Sequence, residues 1–197
     1  MFKTTIVKRP PTADKIMKQI IYGTAVGLTK TAKEAQDAVK GALRGAFTIR
    51  NQWLDRGPLQ IGIKPATPKD LSAEVRTRAD FLGIHETGGI KVPKGGHRLA
   101  IPGDGVKRNK RLIIPKSQRP KAIIAKGGFV VKIKHGDVIA IRQGRGKKKS
   151  LKFLYNLEER ARIKREPIFK EPIEKVLARR LHSNVQREVK NALQAMR

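Results

Sequence analysis

Cysteine is absent from all 197 residues. That excludes a disulfide-stapled scaffold, thiol catalysis and a cysteine-ligated zinc site. Acids are scarce, with 16 Asp and Glu against 45 Lys and Arg, for a formal net charge of +29. Aromatic side chains make up 5% of the chain, which leaves few platforms for base stacking. No run approaches the ~18 uncharged apolar residues of a membrane span, so no membrane is expected. Met1-Phe2-Lys3-Thr4 has no apolar stretch behind its charges, so no signal peptide is expected either. These absences describe a basic intracellular or particle-bound protein.

Recognisable catalytic constellations are missing too. His85, His97, His135 and His182 stand at no metal-ligand spacing and read as surface or turn residues. Glu86 and Asp104 are the only acids between residues 81 and 128, too few for an acid/base pair there. Glu171, Glu174 and Glu188 are interleaved with Lys and Arg, as in ordinary helix pairing. Gly144-Arg145-Gly146 lacks the strand-to-helix context of a phosphate-binding fingerprint. The expectation is a non-enzyme with no cofactor and no metal.

What is present is cation, and it is concentrated. Residues 81–150 hold 18 Lys and Arg against 3 acids, about half the net charge, while both ends mix the two signs. Hydrophobic residues, at 39%, still allow a core.

Thr12 can cap a helix, and Ala13, Ile16, Met17, Ile20, Leu28, Ala32, Ala35, Val39 and Ala42 keep helical spacing over roughly 13–45. Gly23/Gly27 and Gly41/Gly45 either mark close helix packing or are incidental, and Gly41 and Gly45 are candidates for oligomer packing. Period-two alternation predicts strands over 47–54, 59–63 and 71–76, separated by Gly/Pro turns. A hairpin is expected at 129–142 around His135-Gly136-Asp137, and a further strand at 151–157. Pro167 and Pro172 introduce a last helix whose apolar face carries Ile173, Val176, Leu177, Leu181, Val185, Val189, Ala192 and Leu193. Of these, Ile173, Leu177 and Leu181 are candidates for oligomer or partner packing. The expected fold is α+β, one domain over 1–197. It has a long first helix, an antiparallel sheet of about five strands, and a C-terminal amphipathic helix.

Residues 90–128 read as a long basic loop inserted in that domain, because ten Gly and Pro residues interrupt every possible element. Its cations are Lys107, Arg108, Lys110, Arg111, Lys116, Arg119 and Lys121, and a second basic tip carries Arg145, Lys147, Lys148 and Lys149. Cations on a Gly-rich backbone suit phosphate contact without base reading. Double-stranded DNA is the expected polyanion. A solvated face, an acidic protein partner, and a sequence-nonspecific RNA-binding module of ribosomal-protein composition stand as alternatives.

The order of the segments carries a resemblance. An alanine-rich helix, Ala32–Gly45, leads into Ala46-Phe47-Thr48-Ile49-Arg50-Asn51-Gln52-Trp53. Phe81-Leu82-Gly83-Ile84-His85-Glu86-Thr87-Gly88-Gly89 precedes the basic Gly/Pro stretch, and Leu99-Ala100-Ile101-Pro102 continues it. Phe153-Leu154-Tyr155-Asn156-Leu157 and Pro167-Ile168-Phe169 lead to the last helix. This order resembles the minor tail and tail-completion proteins of long-tailed bacteriophages, including the minor tail protein Z family of lambda-like phages. The resemblance implies a non-enzymatic virion protein of the tail or neck, found in the host cytoplasm during assembly. It also implies a ring-like oligomer of like copies that contacts tail terminator, tail tube or connector proteins. Glu86 reads as part of a structural turn.

Overall fold

The computed structural model describes residues 12–93, 95, 97–144 and 150–196. Along the chain run α1 (Ala13–Ala46), β1 (Gly62–Lys64), β2 (Glu74–Arg76), α2 (Phe81–Thr87), β3 (Gly89–Lys91) and β4 (Leu99–Pro102). A 3-10 turn (Lys116–Gln118), α3 (Pro120–Ala125), β5 (Phe129–Ile133), β6 (Gly136–Gln143), β7 (Ser150–Glu158), β8 (Ala161–Ile163) and α4 (Lys170–Gln194) follow. The fold is α+β, with a long first helix, a long last helix and small antiparallel sheets. Among the described residues, those of 12–86 and 167–196 make one compact unit, and those of 87–166 make another.

In the first unit α1 and α4 lie antiparallel. They approach closely at Gly23 and Gly27: a Cβ on Gly27 would stand 2.6 Å from the Val185 Cα, and one on Gly23 2.7 Å from that of Val189. A Cβ on Gly41 or Gly45 would meet nothing within 4 Å. The first glycine pair is therefore the one that admits the neighbouring helix.

The seam is partly polar. Asn184 donates to Thr31 Oγ1 and to Glu34 Oε1, both at 3.1 Å. Glu188, only 8% exposed, accepts from Lys30 Nζ at 2.9 Å and from Arg187 Nε at 3.1 Å. Each buried polar group thus has a partner, as burial requires. The most buried stripe of α4 is Asn184, Glu188 and Ala192, with Leu181, Val185 and Val189 half-buried and Leu177 42% exposed. The apolar face expected for α4 is hence shifted: Leu177 lies at its solvent margin and two polar residues at its centre. Hydrogen-bond partners on α1 make that shift affordable.

The core of this unit gathers where α1 ends. Val39, Leu43, Leu54, Ile61, Ala79, Leu82 and Ile168 are buried together, and Phe47, Ile49, Trp53, Phe169 and Ile173 pack on them. Residues 47–54, expected as a strand, form turns in which Asp55 and Arg56 both donate to the Gln52 carbonyl at 3.1 and 3.0 Å. Their alternating apolar residues converge on one core from irregular chain, which period two alone cannot distinguish from a strand. The β1–β2 hairpin sits against α1, with the Ala66 N–H donating to Thr29 Oγ1 at 3.1 Å.

Glu86 has a definite role. Its Oε2 accepts the N–H groups of Ile168 and Phe169, each at 2.8 Å, and its Oε1 accepts that of Lys170 at 3.0 Å. A carboxylate at the start of α4 meets otherwise unpartnered donors and the positive end of the helix dipole.

The second unit holds a four-stranded antiparallel sheet in the order β4-β7-β6-β5 and a separate β3–β8 ribbon. The strands are thus divided among small sheets, where one sheet of about five was expected. A register shift between Ile139 and Ala140 leaves Leu154 without a paired residue, and Leu154 is buried with Val106, Ile123, Ile139 and Tyr155.

The 90–128 stretch is folded onto this sheet and is no bare loop. Gly103 N–H donates to the Leu154 carbonyl at 2.9 Å, and Tyr155 Oη donates to that of Gln118 at 2.8 Å. Pro120 opens α3, and Gly127 (φ 89°) closes it while Gly128 N–H returns to the Ile123 carbonyl at 2.9 Å. Its glycines and prolines are joints between elements too short to show a period.

Candidate nucleic-acid interface

The cations picked out in the basic stretch sit on that folded frame. Asn109 Oδ1 accepts the N–H groups of Arg111 and Ile113 at 3.0 and 2.9 Å, and Leu112 takes a left-handed φ of 58°. This tight turn presents Lys107, Arg108, Lys110 and Arg111, all exposed. Lys116 opens the 3-10 turn, Arg119 precedes α3, and Lys121 lies in its first turn; these three are exposed as well.

Two of these cations act electrostatically on Tyr155. Burial pushes its hydroxyl pKa up, and the charges of Arg108 and then Arg119 pull against that rise. Charges eleven positions apart in the chain thus act on one hydroxyl. Arg145, Lys147, Lys148 and Lys149 lie outside the described residues.

The two units differ in how charge is compensated. Residues 87–166 hold 23 Lys and Arg against 5 Asp and Glu. Among the described residues, ion pairs in this unit join Arg98 to Asp137 and Lys164 to Glu166. None of the seven cations from Lys107 to Lys121 takes part in one. In the first unit most of the acids are engaged. Asp55 pairs with Lys40 at 3.2 Å and Arg44 at 3.0 Å, and Lys64 pairs with Asp70 at 3.0 Å and Glu74 at 3.5 Å. The hydrogen bond from Lys40 is the largest influence on the Asp55 carboxyl, which is held below its ordinary range.

Sequence reading passed over one cationic row. Arg160, Arg162 and Lys164, in and beside β8, are all exposed. They fell within a C-terminal portion of mixed charge, and their signature is a cation at every second residue through a short strand.

Chemically, this is a surface of solvated positive charge on a fixed backbone. It can neutralise phosphates and release their counterions. Among the described residues no group of three His, Asp or Glu is placed to hold a metal ion, and no helix is long and apolar enough to cross a membrane. Comparison of the chain with protein-family models, curated proteins and solved structures finds no match.

Proposed function

We propose that this chain is a structural virion protein of a bacteriophage tail or neck. It completes the head-proximal end of the tail and helps to join head to tail or to position duplex DNA there, and it catalyses no reaction. The observation that carries the reading is the cation surface: the second unit offers seven exposed cations without carboxylate partners among the described residues, whereas most acids of the first unit are engaged in ion pairs. A surface of this kind repels its own copies and is relieved by a polyanion. The order of sequence segments supports the phage assignment. Head-to-tail contacts between copies close a ring when their rotation closes, with tail terminator, tube or connector proteins as neighbours.

Binding of the purified protein to two unrelated DNA duplexes over a range of salt tests the DNA contact. Equal affinities are expected, with log K falling against log[salt] at a slope of roughly −5 if about six phosphates are met. Salt-independent binding removes the interface. Clear preference for folded RNA over duplex DNA transfers the protein to the RNA-binding reading. Averaged density from intact particles should place several copies around the tail axis; copies scattered over the outer surface overturn the virion role.

A further inference from the structure

The β3–β8 ribbon pairs with no other strand among the described residues, so it is a free-standing two-stranded element. Its register sets Ile90 opposite Arg162. Strand alternation puts Arg160 and Lys164 on the Arg162 side, while Ala161 and Ile163, on the other side, are half-buried. Gly88, at φ 71°, would bring a Cβ to 3.2 Å from the Arg165 backbone, so the chain passes closely at this end of the row. Gly88, Ile90, Arg160, Arg162 and Lys164 line an open trough of about 1020 Å³ together with Ile163 and Arg165. Lys164 has the Glu166 carboxylate 3.8 Å away, and Arg160 and Arg162 have no ion pair among the described residues. On the facing strand Ile90 is 57% exposed, and Val92 just beyond it is 64% exposed.

The geometry points to the β3–β8 ribbon as a second nucleic-acid contact, which lays Arg160, Arg162 and Lys164 along one phosphate backbone of duplex DNA. Alternate residues of a strand stand about 6.6–6.8 Å apart, close to the separation of successive phosphates along one DNA strand, where an axial rise of roughly 3.4 Å is lengthened by the winding of the backbone. A two-stranded ribbon is also an element that the major groove of B-DNA admits. Guanidinium groups suit phosphate oxygens through paired donors, and Ile90 and Val92 can meet sugars or thymine methyls. An anionic bilayer would use the same residue types. Two β-branched side chains beside three cations offer little to insert, and the even spacing of the row favours a repeating phosphate.

This assignment rests on the polyanion reading above and adds a defined contact to it. The full-length protein is titrated with a short mixed-sequence duplex over a range of salt, as wild type, as R160A/R162A/K164A, and as K107A/R108A/K110A/R111A. The ribbon triple is expected to make the log–log slope shallower by about 2–3, and the charge-keeping R160K/R162K to hold the wild-type slope. If wild type binds and the loop variant loses slope while the ribbon triple does not, the ribbon assignment alone is overturned. If wild type does not bind duplex at all, the polyanion reading fails, and this contact with it. A lysine variant as shallow as the alanine triple overturns it too, because the loss then follows structure and not charge. Binding to vesicles of phosphatidylcholine with phosphatidylserine that needs Ile90 and Val92, with duplex binding indifferent to the triple, overturns it in favour of a lipid surface.

Discussion

Glu188 lies almost buried between two helices, yet it is held ionised. The hydrogen bond from Lys30 lowers its carboxyl pKa most, that from Arg187 next, and both outweigh the rise due to burial. A carboxyl whose pKa is depressed on folding takes up a proton more readily in the unfolded chain. Its contribution to stability is complete above the unfolded value of roughly 4.3 and is lost as pH falls through the lower folded value. Denaturant unfolding of wild type and Glu188→Gln should therefore show a constant difference from neutral pH down to about 5, then a shrinking one. A difference that grows with acid would place the carboxyl outside the ion pair. The residue also shows where sequence reading stopped: Glu188 looks like any surface acid in a basic helix until Lys30, 158 positions away, is set beside it.

Helix packing divides the glycines of α1 into two kinds. Gly27→Ala drives a methyl into the Val185 backbone and should cost about 1–3 kcal/mol. Gly41→Ala meets open space in the interior of α1 and should stabilise the chain by about 0.5–1 kcal/mol. Thermal unfolding of the two variants checks both signs, and equal effects would mean that the helices do not meet at Gly27. The glycine spacing was visible in the sequence, but which pair faces a neighbour depends on a helix formed far along the chain. Elements with their own period were legible: α1, α4, and β5 to β7 fall close to where their patterns place them. β1 and β2 overlap the strands expected at 59–63 and 71–76, whereas β3 and β8 were not legible. β3 and β8 span three residues each, and their pairing joins segments some seventy positions apart. At the candidate interface the loop cations were legible as composition. The Asn109 turn and the Tyr155 tie that fix them were not, because both depend on contacts that carry no local signature.

For the whole molecule, the decisive fact is that the first unit is interrupted and that Glu86 holds the interruption shut. The residue after which the chain leaves that unit is hydrogen-bonded to the backbone at residues 168–170, where it has just returned. A short Gly/Ser linker in place of residues 87–166 should therefore leave α1 and α4 folded, with helical circular dichroism retained. In that shortened chain Glu86→Ala should lower stability by about 2 kcal/mol, read by urea unfolding. An unfolded shortened chain would show that the interrupted unit cannot stand alone. The interruption also sets a timetable. At about 5–20 residues per second a ribosome needs roughly 8–30 s to travel from Lys30 to Glu188. Before α4 is made, α1 emerges with Gly23, Gly27 and Thr31 bare, and the inserted sheet is completed and can form its own core. The helix that covers α1 is thus translated only after the inserted unit.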